Sequence, residues 1–512
     1  MPKIFRRVTA SLLLILLLPL LASAQQVSLT ILHTNDTHGH LMPFSYPSIV
    51  PAGSELAALK VRSDIGGIAR RATLVKQLRK DLESRGTTVW MVDAGDFSDG
   101  TPFSIEFHGE ADIEAMNALG YTFATLGNHE FNNPLAKLRD LLRLVKYPVL
   151  CANVTENATG KPLVAPSEVR RVGPLKIGVF GLLTREAATY PAAKEMLTVA
   201  DEVETARRMA AALRPEADII VAISHSGDRL DEQIAASVPQ IDVIVGGHSH
   251  SRLPVGEFVW HSKELKVDEV NGTVIVQAHQ WGGELGQLDL LFGRNASGAW
   301  RVERYRAQLI PITADIPQDK EVAAVVDRYW SRIASTYGEV IGEAAEDFVE
   351  RGDDLAPYNL FSDAIRETFG AEIELENMGG VRAPLIKGKI TRGALVDMDP
   401  FNNTIMTFKV TGRQLKEILL RQRPAVSGLR YRIANGQITE ASVSGQPIDE
   451  NRTYTGAANS YLAGYALKGV EVTDTKKPRL DVIIDYVRKK GTIRPAYDGR
   501  RVIIGATVGS QQ

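Results

Sequence analysis

The stretch ILHTNDTHGH, residues 31–40, places Asp36, His38 and His40 directly after an apolar run. A continuous apolar run ended by small or polar residues reads as a strand buried on both faces. VSLTILHTN ends in this way, and TTVWMVDAGD, YTFATLGN, LKIGVFGLL, DIIVAISHSG and IDVIVGGHSH repeat the plan. Helical patterns lie between several of them, over residues 67–82, 134–145 and 201–214. The alternation predicts an α/β fold of layered sheets flanked by helices.

The composition agrees with a globular chain. Of 512 residues, 44% are hydrophobic and 23% charged, which excludes disordered and fibrous classes and suggests more than one domain. Lys3, Arg6 and Arg7 precede the apolar SLLLILLLPLL, and Ala22-Ser23-Ala24 has the small-x-small form of a cleavage site, so residues 1–24 read as a signal peptide. The apolar run is short for a membrane span and is broken by Pro19. Gln25, not Cys, follows the cut, which speaks against a lipid anchor there. The expected product is exported, periplasmic or secreted, with no stable membrane insertion after signal cleavage. A formal net charge of −2, made more negative by loss of the basic leader, gives no reason to expect a nucleic acid partner. Cys151 is the single cysteine, which rules out an internal disulfide, and its apolar surroundings predict a buried small hydrophobe.

Acid, amide and imidazole groups gather at the expected carboxyl ends of these strands: Asp36 and His38, Asp96, Asn128 and His129, His225, and His248 and His250. Open α/β sheets collect their ligands at that end, so residues far apart in the chain meet in one crevice. Apart from His129, four imidazoles, two carboxylates and one amide, with no thiolate, suit zinc, manganese, iron or cobalt. Seven donors exceed what one catalytic ion with open positions takes and match two ions about 3.5–4 Å apart. Such a pair suits phosphate ester hydrolysis, in which the departing oxygen needs a proton. His129, beside Asn128, is the expected donor. His33, inside the first strand, is expected to be structural, and His40, Asp93, Asp99 and Glu130 to be outer partners of the ligands or solvent-facing.

Taken in order, DTH, GD, GNHE, SHSG and GGHSH resemble the calcineurin-type metallophosphoesterases, specifically the exported 5′-nucleotidase family. The resemblance implies a metallophosphoesterase sheet sandwich over residues 25–310, a linker with a connecting helix over 311–338, and a second, smaller α/β specificity domain over 339–512. It implies two divalent ions (Zn, Mn, Fe, Co or Mg). Asp36, His38, Asp96 and His250 would hold one, and Asp96, Asn128, His225 and His248 the other, with Asp96 as the bridge. Many relatives place an Asp three residues after the catalytic His; here that position is Asn132, which cannot stabilise an imidazolium by charge.

In the second domain the resemblance assigns Arg382 and Arg351 to the phosphate, Phe401 and Tyr461 to a sandwich around a base, and Asn403 to the base edge. Leu467 stands by spacing where relatives carry a nucleoside-binding Asp, and Asp353 where they carry a second arginine. The implied reaction is hydrolysis of nucleoside 5′-monophosphates. The same site acting on 2′,3′-cyclic nucleotides, nucleotide sugars or a non-nucleotide phosphoester is the alternative within enzymes. A periplasmic binding protein with a relic site is the alternative outside them, opposed by the complete ligand set.

Overall fold

The computed structural model of the protein describes residues 26–48, 50, 54–261, 272–295 and 297–504. The signal peptide expected over residues 1–24 lies outside the described residues.

Strands β1 (Val27–Thr34), β2 (Thr88–Asp93), β3 (Phe123–Ala124), β4 (Ser167–Val172), β5 (Leu175–Leu183), β6 (Ile219–His225), β7 (Val243–Gly246), β8 (Glu257–Trp260), β9 (Gly272–Val276), β10 (Glu284–Arg294) and β11 (Trp300–Pro311) build two sheets. One has the order β11-β10-β1-β2-β3 and the other β8-β9-β7-β6-β5-β4. Within the first, β1, β2 and β3 are parallel; within the second, β5, β6, β7 and β9 are.

The pleat explains the uninterrupted apolar runs. Leu29 and Ile31 of β1 point into a core shared with Val221 and Ile223 of β6, between the sheets. Leu32 turns the other way, onto Ile68, Ala72 and Val75 of helix α1 (Ile68–Ser84). On the far side, Ile220 and Ala222 of β6 pack on Ala206 and Met209 of α3 (Glu202–Leu213) and Ile234 of α4 (Asp228–Ser237). Helix α2 (Leu135–Leu144) follows the GNHE segment. The result is a helix-sheet-sheet-helix sandwich. Full burial of each such aliphatic side chain contributes about 1.5–3 kcal/mol, and β-strands with no solvent face draw apolar residues on both faces.

Helix α5 (Lys320–Tyr337) connects to the second half. It starts later than the expected residue 314. Ile316, immediately before Pro317, is pushed out of the helical region, and Asp319 accepts the Val322 N–H at 3.2 Å as the cap. The strand expected over YTFATLGN is also shorter, reduced to the two residues of β3.

The second half centres on a five-stranded sheet of β12 (Ile373–Glu376), β13 (Thr404–Thr411), β14 (Ala425–Ser427), β15 (Thr453–Asn459) and β16 (Glu471–Pro478), ordered β14-β12-β15-β13-β16. Helices α6 (Ser460–Ala466) and α7 (Arg479–Lys490) follow β15 and β16. Tyr337 OH of the connecting helix donates to Glu106 Oε1, and the halves themselves are joined where Ser48 donates through N–H and Oγ–H to Asp347 Oδ2 at 2.8 and 2.7 Å.

Candidate metal centre

Each predicted ligand sits within a few residues of a parallel strand's carboxyl end, and the fold brings them together. Potential ligand atoms of Asp36, His38 and His250 lie within 4.8 Å of one another, as do those of Asp96, His225 and His248, and those of His38, Asp96 and His129. Asn128 joins the second group through Oδ1, 3.1 Å from His225 Nε2. Asp96 belongs to two groups, with Oδ2 3.1 Å from His225 Nε2 and 3.8 Å from His38 Nε2.

The loops carry these side chains in a backbone shape that costs energy. Asp36 (φ 49°), His38 (46°), Asp96 (54°), His248 (78°) and His250 (56°) all occupy the left-handed region. That region is disfavoured by about 1–2 kcal/mol for residues with a Cβ, and such outliers cluster at functional sites. Backbone bonds brace the turns: Asp36 N–H donates to Gly95 O at 2.9 Å and His38 N–H to Asp96 O at 3.0 Å. Glu130 accepts the N–H groups of Asp96, Ser98 and Gly127 at 3.0, 3.2 and 2.7 Å, tying the two ligand loops together. Gly127 is required there, because a Cβ would lie 2.1 Å from Asp96 Oδ1.

The donor set fits divalent cations. His38 Nδ1 faces Asp99 O, His225 Nδ1 faces Ala94 O and His250 Nδ1 faces Gln280 Oε1, at 3.1, 2.7 and 2.6 Å. These acceptors assign the proton to Nδ1 and leave each Nε2 lone pair for a metal. His38 Nε2 and His250 Nε2 are only 3.1 Å apart, an arrangement that a cation between two lone pairs stabilises. Burial holds His38 well below the usual histidine range and brings His248 to about 4, so both offer neutral imidazole. Burial opposes ionisation of Asp36, yet protonated His250 and His225 outweigh it and hold its carboxyl at about 2, the positive charge that a cation, when bound, supplies in their place. Buried carboxylates of this kind require positive partners.

His129 faces the cluster from the side, its ring 4.9 Å from that of His38. Beside the expected partner, Asn132, whose amide nitrogen is 3.0 Å from His129 Nδ1, stands a second one. Asp99 Oδ2 lies 2.6 Å from His129 Nδ1, and the Asn132 amide donates to the same Asp99 oxygen. The charge that Asn132 lacks is supplied by Asp99 from the neighbouring loop. Burial opposes charge on His129, but Asp96 and Asp99 outweigh it and raise its pKa.

Other residues fall where packing puts them. His40 stacks on Trp281 at 4.5 Å, and His33 lies over Gly286 with its pKa lowered to about 3 by burial. Among the described residues the Nδ1 of His33 finds no hydrogen-bond partner, so the ring is held by packing, one of the two structural roles expected of it. Cys151 is fully buried, as expected.

In the second half, Arg382 is near enough to depress proton binding at His129 and Tyr190. Arg351 instead stacks on Tyr497, 3.9 Å from the ring centre. Asp353 pairs with Arg501 at 3.0 Å, a structural role for the position expected to hold an arginine in relatives. Phe401 is half-buried in the loop ahead of β13. Tyr461 is 63% exposed and meets Tyr465, an aromatic the sequence did not single out, edge-on at 5.4 Å. Asn403 Oδ1 accepts from Ser460 Oγ–H and Tyr461 N–H at 2.9 and 3.2 Å, so Nδ2 is the part of the amide left to meet a ligand. Leu467 is buried in the core. Beneath these loops, Arg479 is fully buried, pairs with Asp399 and Glu376, and donates to Gly380 O at 2.7 Å. Nothing in the local sequence announces that hub.

Residues 29–252 match the calcineurin-like phosphoesterase family and residues 340–469 the 5′-nucleotidase C-terminal domain. The chain is 28% identical to a 5′-nucleotidase of Vibrio vulnificus (strain CMCP6), with 85% of this chain and 84% of that protein covered. It is 29% identical to a snake venom 5′-nucleotidase of Gloydius brevicauda, over 96% and 91% of the two chains. The crystal structure of a 5′-nucleotidase precursor from Thermus thermophilus superposes with a TM-score of 0.80 at 26% identity, covering 94% of this chain and all of that one. With both domains present in this order over a site rich in metal donors, the chain belongs to the 5′-nucleotidase family of metallophosphoesterases and is a metal-dependent phosphoester hydrolase.

Proposed function

We propose that the protein is an exported enzyme that hydrolyses nucleoside 5′-monophosphates to nucleoside and phosphate, with two divalent ions. In this reading Asp36, His38, Asp96 and His250 hold one ion and Asp96, Asn128, His225 and His248 the other. The ions, when bound, supply Lewis acidity toward the phosphoryl oxygens and lower the pKa of water. The protein's own groups do the rest. His129, its Nδ1 engaged by Asp99, turns Nε2 toward the leaving oxygen and donates the proton. Asn132 positions Asp99. Arg382 presents a guanidinium fork to the phosphate; Arg351, stacked on Tyr497, is the weaker candidate for that contact. Phe401 and Tyr461 enclose the base, and Asn403 Nδ2 meets its edge.

Residues 25–310 form the catalytic domain in this proposal, 311–338 the linker and 339–512 the specificity domain. Export rests on the leader sequence. Among the described residues no helix is long and apolar enough to cross a membrane. The observation that carries the nucleotide reading is the match of residues 340–469 to the 5′-nucleotidase C-terminal domain behind a phosphoesterase half. It supports a nucleotide as the phosphoester.

The test is inorganic phosphate release from AMP, UDP-glucose, 2′,3′-cyclic AMP and p-nitrophenyl phosphate by chelated protein resupplied with manganese, zinc or magnesium. Rapid metal-dependent release from AMP is expected. Release from the aryl ester alone would retain the hydrolytic centre and remove the nucleotide assignment.

A further inference from the structure

The loop after β5 approaches the cluster from outside the predicted ligand set. Its short helical turn, Arg185–Thr189, is capped by Thr184, whose N–H donates to His225 O at 2.9 Å. Ala192 N–H donates to Phe131 O at 2.9 Å, so the loop is tied both to a ligand strand and to the turn that carries His129. From this loop Tyr190 and Glu186 reach two ligands of the same group. Asn128 Nδ2 donates to Tyr190 OH at 3.0 Å, and Tyr190 OH donates to Glu186 Oε1 at 3.3 Å. The other oxygen of Glu186, Oε2, lies 3.6 Å from His248 Nε2, an electrostatic contact.

The directions of these bonds matter because an amide is asymmetric. Only Oδ1 of Asn128 can bind a cation; Nδ2 repels one. Tyr190 accepts from Nδ2 because its own proton goes to Glu186, and that fixes the amide with Oδ1 turned inward, 3.1 Å from His225 Nε2. At His248, a carboxylate beside Nε2 favours the tautomer with the proton on Nε2 and the lone pair on Nδ1.

We propose that Glu186 and Tyr190 are positioning residues for one ion only, the one assigned to Asp96, Asn128, His225 and His248. This rests on the two-ion reading above. Outer partners of this kind typically alter metal affinity by about 10–100-fold, and the other ion's ligands are oriented independently, by Gln280 on His250 and Asp99 O on His38.

The experiment titrates chelated wild type, Tyr190→Phe and Glu186→Gln with Mn(II) alone, followed by calorimetry and by electron paramagnetic resonance. Thermal unfolding in chelator checks that the variants fold as the parent does. Wild type should take two ions and show a coupled pair. Each variant should keep one ion at the parent affinity, bind the second about 10–100-fold more weakly, and show an isolated-ion spectrum at intermediate loading. Two ions at parent affinity in both variants would overturn the positioning role, and so would equal weakening of both ions. A wild type that takes only one ion would remove the two-ion reading and this inference with it.

Discussion

Replacing Asp99 by Asn keeps the shape of the side chain and removes its charge from His129. The pair is partly shielded, with side chains 12% and 22% exposed and 2.6 Å between Nδ1 and Oδ2. A hydrogen bond to a charged group contributes about 1.5–3 kcal/mol, and each 1.36 kcal/mol off a barrier is tenfold in rate. On that scale Asp99→Asn should lower kcat for AMP by about ten- to a hundredfold, less than loss of the acid itself, which costs about 10²–10⁴-fold. The leaving group separates this from a folding defect. A nucleoside alkoxide needs the proton and p-nitrophenolate hardly does, so the aryl ester should be hydrolysed nearly as before. The pH profile has a definite sign. Asp96 and Asp99 raise the pKa of His129 against the effect of burial, so its acid form persists to higher pH in the parent. In Asp99→Asn the basic limb of kcat should move to lower pH. Asn132→Asp in the same chain returns a carboxylate to the position from which Asn132 now reaches both His129 and Asp99, and should restore part of the rate. The assay is steady-state phosphate release across pH on both substrates. A parent-like kcat on AMP with superimposable profiles would refute the dyad.

Asp96→Asn removes the charge shared by the two donor groups and should abolish turnover together with bound metal; retained activity at unchanged metal content, read by elemental analysis, would overturn its bridging role. Phe401→Ala should raise KM for AMP by the equivalent of about 1–3 kcal/mol, the usual worth of stacking on a base, and raise that for p-nitrophenyl phosphate far less. Equal changes on both substrates would show that Phe401 is packing alone. Arg479→Met strands Glu376 and Asp399 in the core and should destabilise the protein by about 3–5 kcal/mol in urea unfolding, with KM for AMP rising because Gly380 and Asp399 flank the loops of Arg382 and Phe401. A midpoint matching the parent would show that the buried ion cluster is dispensable.

The sequence by itself determined the layered α/β class and the donor set. Burial on both faces makes β1, β2, β6 and β7 predominantly apolar, so the polar cluster at and just beyond their ends stands out, and strand polarity sends it to one edge. Asp36, His38, Asp96, Asn128, His225, His248 and His250 were legible for that local reason. Only the tertiary structure decided which side chains touch them. Asp99 and Asn132 each stand three residues from a site residue, and spacing favoured Asn132. The left-handed backbone at Asp96 and Asp99 (φ 54° and 77°) accompanies the turn that brings the Asp99 carboxylate to His129 as well. Leu467 went into the core, Arg351 onto Tyr497, and Tyr190 with Glu186 onto two ligands from a loop with no motif of its own. Periodicity reports which residues a segment must bury. It does not report side-chain direction in a turn or contact across the chain, because both are set by packing between elements distant in sequence.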